Sequence, residues 1–287
     1  MSKLELPSSL VDANWLHAHL GAEDLLVFDA SWHMPSTGCD GYREWLEECI
    51  PGARFFDFDG RICDTDSTLP HMLPDPEDFT RELRALGLNQ RSSVVIYDSM
   101  GMYSAPRAWW MLRVMGFTRT AMLDGGLMAW ESEGYEVGRG ADQGEIAAGD
   151  FTAHLDAAQV ADAARVLAAL DDASQCVLDA RPEPRFLGEA EEPRPGLRRG
   201  HMPGAVNLPF ANLFEKGLLK SDEQIERLVK PLVGDAESVI CSCGSGVTAC
   251  ILAFALQRVG VDNVAVYDGS WCEWGLPGEL PVVADAR

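Results

Sequence analysis

Residues 238–260 have the sequence SVICSCGSGVTACILAFALQRVG. A short apolar run at 238–241 leads into a loop with two glycines, and then into a stretch at about 247–259 that is apolar on nearly every side. The first part predicts a buried strand and the last part a buried helix. The glycines allow a tight turn in which consecutive N–H groups point at one centre, next to the positive end of the helix. The stretch therefore predicts a strand, an anion-binding loop and a helix of an α/β fold.

A related copy of this pattern lies earlier in the chain. A shift of 144 positions places residues 95–130 over 239–274 without a gap, and the triplet Pro-Gly-Ala occurs at both 51–53 and 203–205. Repetition over this length indicates two related domains of ordinary size. Within each copy, short apolar runs alternate with helical patterns. This predicts two tandem α/β domains, each a mostly parallel sheet flanked by helices.

The repeat also sets the predicted domain bounds. Residues 138–150, GRGADQGEIAAGD, are rich in small residues and lack hydrophobic periodicity, so they predict a linker. The N-terminal domain then spans residues 1–137 and the C-terminal domain 151–287. The clearest predicted elements are strands at 25–28, 94–97, 176–178 and 239–241, a helix at 77–86 between Asp75-Pro76 and Gly87, and a helix opened by Ser221 with Gln224 at capping-box spacing.

Composition limits the classes of function. The 287 residues include 45 acidic and 23 basic ones, which gives a formal net charge of -22 at pH 7. This charge argues against non-specific binding to nucleic acid or to an anionic membrane, and an anionic substrate would need locally placed arginines. We find no long apolar run and no leader-like N-terminus, and the eight cysteines are scattered. We therefore expect a cytoplasmic protein with reduced thiols.

Cys243 is the predicted nucleophile. It stands at the mouth of the glycine loop, where amide donors and a helix N-terminus would stabilise a thiolate and a charged sulfur attached to it, as in a persulfide. For the other cysteines we favour the structural alternative, a small buried apolar side chain. Cys241 and Cys243 form a C-x-C pair, but no second pair or nearby histidine completes a tetrahedral site, so we predict no metal and no cofactor. The predicted persulfide cradle is Gly244, Ser245, Gly246, Val247 and Thr248.

The whole chain resembles the tandem-domain sulfurtransferases of the rhodanese superfamily. Its loop CGSGVT, followed by Ala249, resembles that of the 3-mercaptopyruvate sulfurtransferases, whereas thiosulfate-type members carry two basic residues at the positions of Gly244 and Ser245. A divalent anion such as thiosulfate is best met by cations beside the thiolate, but mercaptopyruvate carries its carboxylate away from the sulfur. The resemblance implies sulfur transfer from 3-mercaptopyruvate through a Cys243 persulfide, with release of pyruvate.

Candidate arginines for binding the substrate follow the predicted strand at 176–178. The resemblance implies that Arg185 and Arg194 bind the carboxylate and the keto oxygen, for which their guanidinium forks are suited. From the residues alone, both arginines could equally be surface charges paired with Glu189, Glu191 or Glu192. Arg181 directly follows a strand-end aspartate, and we expect it to be structural.

The first copy lacks the thiol. Ser99 aligns with Cys243, so this domain is predicted to be catalytically silent. The resemblance implies that its Asp59 and His71 join Ser245 in handling protons. The residues alone instead favour a turn residue at Asp59 and a loop histidine at His71. The segment between them is also about one residue longer than the resemblance leads us to expect.

Other functions are weighed against this interpretation. A thiosulfate sulfurtransferase would differ only in its donor, and a non-catalytic rhodanese-like binding module would not need Cys243. A cysteine phosphatase is disfavoured, because its loop needs an arginine near the end, where this chain has Ala249. The expected sulfur acceptor is a thiol, with thioredoxin as a candidate, or cyanide in an assay.

Overall fold

The structure is a computed structural model that describes residues 4–284. Its contacts divide the chain into two compact units. Residues 4–65 and Leu73–Asp156 form the first unit, and Asp66–Met72 with residues 157–284 form the second. A short segment that precedes α3 in the sequence thus belongs to the unit that also contains Cys243.

The first unit is built around a five-stranded parallel sheet. Its strands are Leu10–Val11 (β1), Leu25–Asp29 (β2), Arg54–Phe55 (β3), Ser93–Tyr97 (β4) and Thr120–Leu123 (β5). Its helices are Ala13–His19 (α1), Gly41–Glu47 (α2), Pro76–Ala85 (α3), Ala105–Val114 (α4) and Gly126–Ser132 (α5), with 3-10 turns at Pro35–Thr37 and Gly140–Asp142. The strand order is β1-β5-β4-β2-β3, and the four pairings are parallel.

The second unit contains a five-stranded parallel sheet and a small hairpin. Its strands are Val160–Ala161 (β6), Gln175–Asp179 (β7), Val206–Asn207 (β8), Phe214–Glu215 (β9), Leu218–Leu219 (β10), Ser238–Ser242 (β11) and Val264–Tyr267 (β12). Its helices are Ala163–Ala169 (α6), Glu183–Phe186 (α7), Asp222–Val233 (α8), Ala249–Arg258 (α9) and Ser270–Trp274 (α10), with 3-10 turns at Ala157–Gln159 and Phe210–Leu213. The parallel sheet has the order β6-β12-β11-β7-β8, while β9 and β10 pair antiparallel.

The two parallel sheets have the same strand order, which confirms the predicted fold of two tandem α/β domains. The four strands predicted from sequence are β2, β4, β7 and β11. These strands could be predicted because a parallel strand that is covered on both faces has a continuous apolar sequence. All five residues of β4, for example, are buried. The predicted buried helix is α9, which packs on β11 and β12 and is buried throughout Ala249 to Leu256.

The predicted helix ends are also confirmed. The Asp75 carboxylate caps α3 by accepting the N–H groups of Glu77 and Asp78, and Gly87 follows the helix with a φ of 71°. Ser221 and Gln224 form the reciprocal capping box that opens α8. Among the described residues, no helix combines the length and apolar character needed to cross a bilayer.

Residues 138–150, the predicted linker, pack on the first unit. Gly138 forms an isolated antiparallel bridge with Cys49, and the Gly149 N–H donates to the Arg84 carbonyl at 2.8 Å. A Cβ atom at Gly140 would overlap the Trp45 ring. The small residues that resemble a flexible linker in sequence are thus required here by close approach of the backbone. The contacts divide the chain after Asp156, some residues beyond the predicted bound.

The loop after β4 closes around an internal anion. The buried Asp98 carboxylate accepts four backbone N–H groups at 2.7 to 3.1 Å, from Met100, Met102, Ser104 and Ala105. Burial raises the pKa of Asp98, and the four hydrogen bonds oppose that shift. The amides of this loop therefore converge on one negative charge. The 144-residue shift aligns Asp98 with Ser242, which directly precedes Cys243.

Gly126, the first residue of α5, packs directly against the loop after β4. It has a φ of 58°, and a Cβ atom there would overlap the Asp98 carbonyl oxygen. Gly134, at the other end of α5, has a φ of 77° but open space around it. We expect Gly134→Ala to lower the free energy of unfolding by about 1 kcal/mol, from backbone strain alone. Gly126→Ala should cost about 3 kcal/mol or more, because a steric clash adds to the strain.

The measurement is the urea unfolding midpoint of both variants and the native protein. Equal losses for Gly126→Ala and Gly134→Ala would show that the Asp98 carbonyl moves aside at little cost.

Candidate active site

The candidate site lies at the carboxyl end of β11. This strand pairs in parallel with β7, and Ser242 is in register with Asp179. The loops that follow the two strands therefore begin side by side, at the edge of a parallel sheet where ligands bind in α/β proteins. The loop after β12 leads into α10 at the same edge. These three loops carry Cys243, Ser245, Arg185, Arg194 and Ser270.

The loop after β11 presents unpaired backbone donors. Cys243 is only 2% exposed. Within the described part of the chain, the N–H groups of Gly244, Ser245, Val247 and Thr248 donate to no protein acceptor. Helix α9 begins directly afterwards, with its N-terminus towards the loop. Such a row of free amides beside a helix N-terminus attracts negative charge.

Helix α10 holds this loop in place. The Cys243 N–H donates to Ser270 Oγ at 3.1 Å, and the Ser270 hydroxyl donates to the Tyr267 carbonyl at 2.7 Å. The N–H groups of Trp271 and Cys272 donate to the Cys243 and Gly244 carbonyls at 3.0 and 2.8 Å. The backbone on both sides of the Cys243 side chain is therefore fixed by one short helix.

Ser270 occupies a strained backbone position that sequence analysis missed. Its φ is 47°, in the left-handed region that non-glycine residues rarely adopt. A signal was present in the repeat, because Ser270 aligns with Gly126, whose φ is 58°. The first copy has glycine at this position, which adopts the left-handed conformation without strain. In the second copy Ser270 is strained, and its hydroxyl accepts the Cys243 N–H.

Arg181 is a structural residue, as expected. Its guanidinium is buried, donates to both Asp179 and Glu192, and stacks 4.0 Å from the centroid of the Trp271 ring. It donates in addition to the Gly200 carbonyl at 2.9 Å. These contacts occupy the fork of Arg181, so its role is to join the loops after β7 and β12.

Arg185 lies against the Cys243 loop. A Cβ atom at Gly244 would stand 3.1 Å from Arg185 Nη2, so the glycine leaves room for this guanidinium. Arg185 Nε donates to Glu192 at 3.2 Å, while Nη1 makes no hydrogen bond to the part of the protein that the structure describes. Of the alternatives left open by the sequence, the ion pair with Glu192 is present, but Glu192 is buried at 9% exposure. Sequence analysis missed Glu192 as the buried carboxylate shared by Arg181 and Arg185.

Arg194 and His71 meet within the second unit. Arg194 Nη2 lies 3.2 Å from His71 Nε2, although 123 positions separate the residues in sequence. Because arginine can only donate, His71 Nε2 is the acceptor of this hydrogen bond. His71 is buried at 3% exposure and has a φ of 62°. His71 is therefore a buried side chain fixed by a contact with Arg194, and not a surface loop histidine.

The remaining predicted residues are divided between the units. Ser245 is buried in the loop after Cys243. Asp59 belongs to the first unit, where it is exposed and its carboxylate accepts the Trp32 Nε1–H at 2.9 Å. The structure thus groups Cys243, Ser245, Arg185, Arg194 and His71 in one unit. The part played by Asp59 stays a prediction.

Several of the other thiols have pKa values raised by burial. Burial raises the pKa of Cys272 to about 11 and the pKa of Cys241 well above its usual value. It likewise raises the pKa of Cys49 and of Cys63 to about 11. These side chains are protonated at neutral pH and are poor nucleophiles. This agrees with their predicted structural role.

The strained hydroxyl of Ser270 can be tested with two substitutions. Ser270→Ala leaves the buried Cys243 N–H without a partner and keeps the strain, so we expect a loss of about 2 kcal/mol in unfolding free energy. Ser270→Gly loses the same hydrogen bond but relieves about 1 kcal/mol of strain, and should be the milder change. Urea unfolding of the two variants measures the difference. Two native-like midpoints would mean that the Ser270 hydroxyl does not hold the loop.

Comparison with known proteins agrees with this geometry. The model of the rhodanese-like domain matches residues 12–133 and again 162–276. The 3-mercaptopyruvate sulfurtransferase of Escherichia coli K12 is 41% identical over 276 residues, which are 95% of this chain and 96% of that protein. The thiosulfate/3-mercaptopyruvate sulfurtransferase 1, mitochondrial, of Arabidopsis thaliana is 38% identical over 98% of this chain and 79% of its own length.

Solved structures give the same result. The crystal structure of SseA from Escherichia coli, described as showing the rhodanese fold and catalytic mechanism of 3-mercaptopyruvate sulfotransferases, aligns with a TM-score of 0.83 and 38% identity. The alignment covers 92% of this chain and 99% of SseA. Matching domains in both copies, high identity over nearly the whole length and a shared fold lead to one conclusion: the chain belongs to the rhodanese family.

Proposed function

We propose that the protein is a 3-mercaptopyruvate sulfurtransferase that carries sulfur as a persulfide on Cys243. This proposal is supported by the electrically neutral loop of free amides after β11, by Arg185 against Gly244, and by Arg194, which lies in the same unit against His71. The loop suits a charged sulfur, and the arginines suit a carboxylate set apart from that sulfur. The E. coli relative carries this activity in its name.

The first copy of the repeat supports the assignment of the cradle. Its equivalent loop already holds an anion, the Asp98 carboxylate, through four N–H groups. In the second copy Ser242 takes the place of Asp98, and the N–H groups of Gly244 and Thr248, which align with those of Met100 and Ser104, donate to no acceptor in the described part of the chain. We infer that these amides instead receive the sulfur bound to Cys243.

Two arginines orient the donor in this proposal. Arg185 has its Nη1 available beside Gly244, and Glu192 fixes the direction of its guanidinium. Arg194 offers its remaining donors next to His71. Together they would bind the carboxylate and keto oxygen of mercaptopyruvate, so that the substrate sulfur faces Cys243.

The first half-reaction is then a nucleophilic displacement at sulfur. The Cys243 thiolate attacks the sulfur of mercaptopyruvate, an S–S bond forms, and the C–S bond breaks. The electron pair of the broken bond stays on carbon as the enolate of pyruvate, which takes up a proton to give pyruvate. The amide donors of the cradle stabilise the persulfide that remains.

His71 and Ser245 would manage the protons. In the structure the Nε2 lone pair of His71 is engaged by Arg194. A substrate carboxylate that draws Arg194 towards itself would free this lone pair to accept the thiol proton of the donor, with the Ser245 hydroxyl as an intermediate carrier. We assign Asp59 a supporting part in the same proton handling.

In the second half-reaction, a thiolate acceptor attacks the outer sulfur and restores Cys243. We propose a thiol protein such as thioredoxin or a small thiol as acceptor, with cyanide serving in the assay. The first domain, with Ser99 at the position of the thiol, takes no sulfur. The eight free cysteines favour action in the reducing cytoplasm.

Thiosulfate is the second candidate donor, because the Arabidopsis relative carries both donors in its name. We expect kcat/KM for sulfur transfer to cyanide to favour mercaptopyruvate over thiosulfate, since no cation stands within the loop between Cys243 and Cys250. Cys243→Ser should lower the rate with mercaptopyruvate by about 1000-fold or more. Cys39→Ser, which removes an exposed thiol, is the matched control and should keep native activity.

A preference for thiosulfate would overturn the argument from the neutral loop. Persulfide formation that survives Cys243→Ser would exclude Cys243 as the carrier, and a native protein that accepts sulfur from neither donor would favour a binding module.

The arginines are tested by substitution with lysine, which keeps the charge but loses the fork. Arg185→Lys and Arg194→Lys should each raise KM for mercaptopyruvate by about 10- to 100-fold, the value of one charged hydrogen bond. Arg199→Lys is the control, because Arg199 is exposed and pairs with Glu191 at the surface. Steady-state kinetics with saturating cyanide separates KM from kcat. Unchanged KM values in both variants would mean that Arg185 and Arg194 do not bind the substrate.

A further inference from the structure

We propose that the first domain binds a divalent zinc ion through His33, Cys39 and Glu44. In the structure, His33 Nε2 lies 2.6 Å from Glu44 Oε2. The ligand atoms of the three side chains all lie within 4.8 Å of one another. One nitrogen, one thiolate sulfur and one carboxylate oxygen form a mixed set of the kind that zinc accepts. The set does not take part in the sulfur transfer proposed above.

The backbone around the three ligands is already fixed. Asp40 caps α2 by accepting the N–H groups of Tyr42 and Arg43, which sets the direction of the turn that carries Glu44. The Cys39 N–H donates to Thr37 Oγ1 at 3.2 Å, so the position of the thiol on its loop is held as well. All three ligands come from a segment of twelve residues, 33–44, that begins after β2 and ends in the first turn of α2.

Tight packing brings α2 against the end of β2. A Cβ atom at Gly41 would overlap the Ser31 carbonyl, so only glycine allows this approach. His33 stands two positions after Ser31 in the chain, and its side chain is 10% exposed while that of Glu44 is 41% exposed. The pair therefore lies in a partly desolvated pocket that remains open to solvent on the side of Cys39.

The electrostatic surroundings favour a cation. A cavity of about 400 Å³ adjoins the site and is lined by His33 and Cys39. Its described lining contains three carboxylates and neither lysine nor arginine, and the carboxylates are those of Asp40, Asp57 and Asp59. These charges would attract a divalent ion and stabilise it once bound.

The ligand distances are close to those of a zinc site. Zinc bonds of about 2.0 to 2.3 Å in a tetrahedron place ligand atoms roughly 3.3 to 3.8 Å apart. The His33–Glu44 pair must open and Cys39 must close by about 1 Å, which rotation of the exposed Cys39 and the partly exposed Glu44 side chains supplies. Zinc binds the deprotonated forms of its ligands, so binding displaces the Cys39 thiol proton and requires an unprotonated Nε2 on His33. Three protein ligands leave the fourth position to water or to a small ligand.

The site stands at the first domain's counterpart of the catalytic loop. Ser99, which aligns with Cys243, donates its hydroxyl hydrogen bond to Glu44 Oε2 at 3.3 Å. The domain that lacks the sulfur-carrying thiol thus has a metal-binding set at the same end of its sheet. Sequence analysis predicted no metal, because the three ligands have no pattern of paired spacing.

Cobalt(II) reports on the proposed thiolate ligand directly. The test is a titration of the full-length protein carrying Cys243→Ser, which removes the predicted nucleophile as a competing metal ligand. We expect one equivalent of cobalt(II) to produce a thiolate-to-metal charge-transfer band and tetrahedral d–d bands, and zinc(II) to displace it. Cys39→Ser in the same background should abolish the charge-transfer band. Cys63→Ser, which removes a buried thiol of the same unit, should retain it.

His33→Ala and Glu44→Gln should weaken zinc binding, measured by competition with a chelating dye, by at least about 10-fold each. Far-ultraviolet circular dichroism of each variant verifies that the fold is intact, and sulfur transfer by Cys39→Ser alone should be native. The proposal is overturned if no charge-transfer band appears, or if the band is unaffected by Cys39→Ser, which would place the ion elsewhere.

Discussion

The site depends on the parallel pairing of β11 with β7 and β12. Parallel strands end at one edge of a sheet, so their three following loops must meet there whatever their lengths. The loop after β11 supplies the thiol and amides, the loop after β7 supplies Arg181 and Arg185, and the loop after β12 supplies Ser270. The strand register and the buried helix α9 fix where these loops begin, and hydrogen bonds between the loops position their side chains.

The arginines at this edge have different roles because of one buried carboxylate. Glu192 and Asp179 together occupy the guanidinium of Arg181, which is buried and joins two loops. Glu192 also accepts hydrogen bonds from Nε and Nη2 of Arg185, and Nη1, which bonds to no other group in the described part of the chain, lies on the side of Gly244 as well. A buried carboxylate between two guanidinium groups keeps the cluster from carrying an uncompensated double charge. An anionic substrate then meets a directed donor and not a diffuse positive patch.

The sequence predicted the fold and the thiol because both produce local patterns. Buried parallel strands are continuous apolar runs, helix caps have fixed spacings, and a Gly-x-Gly loop between a strand and a helix is contiguous. Glu192 and Ser270 were not predicted as site residues, since their roles depend on partners up to 27 positions away. The contact of His71 with Arg194 spans 123 positions, and only the family resemblance pointed to that histidine. Small residues at 138–150 suggested a linker because sequence does not distinguish flexibility from close packing.

The carboxylate held by the loop after β4 also bears on the predicted lack of catalysis in the first domain. Four amides of the loop after β4 are saturated by Asp98, a side chain that no substrate can displace. A thiol introduced at Ser99 would find its stabilising donors already occupied, and would face a neighbouring negative charge as well. A cysteine at this position would therefore lack the amide donors that the second copy offers to Cys243. The same four hydrogen bonds fix the backbone of the loop after β4, so the amides that would serve chemistry in one copy serve stability in the other.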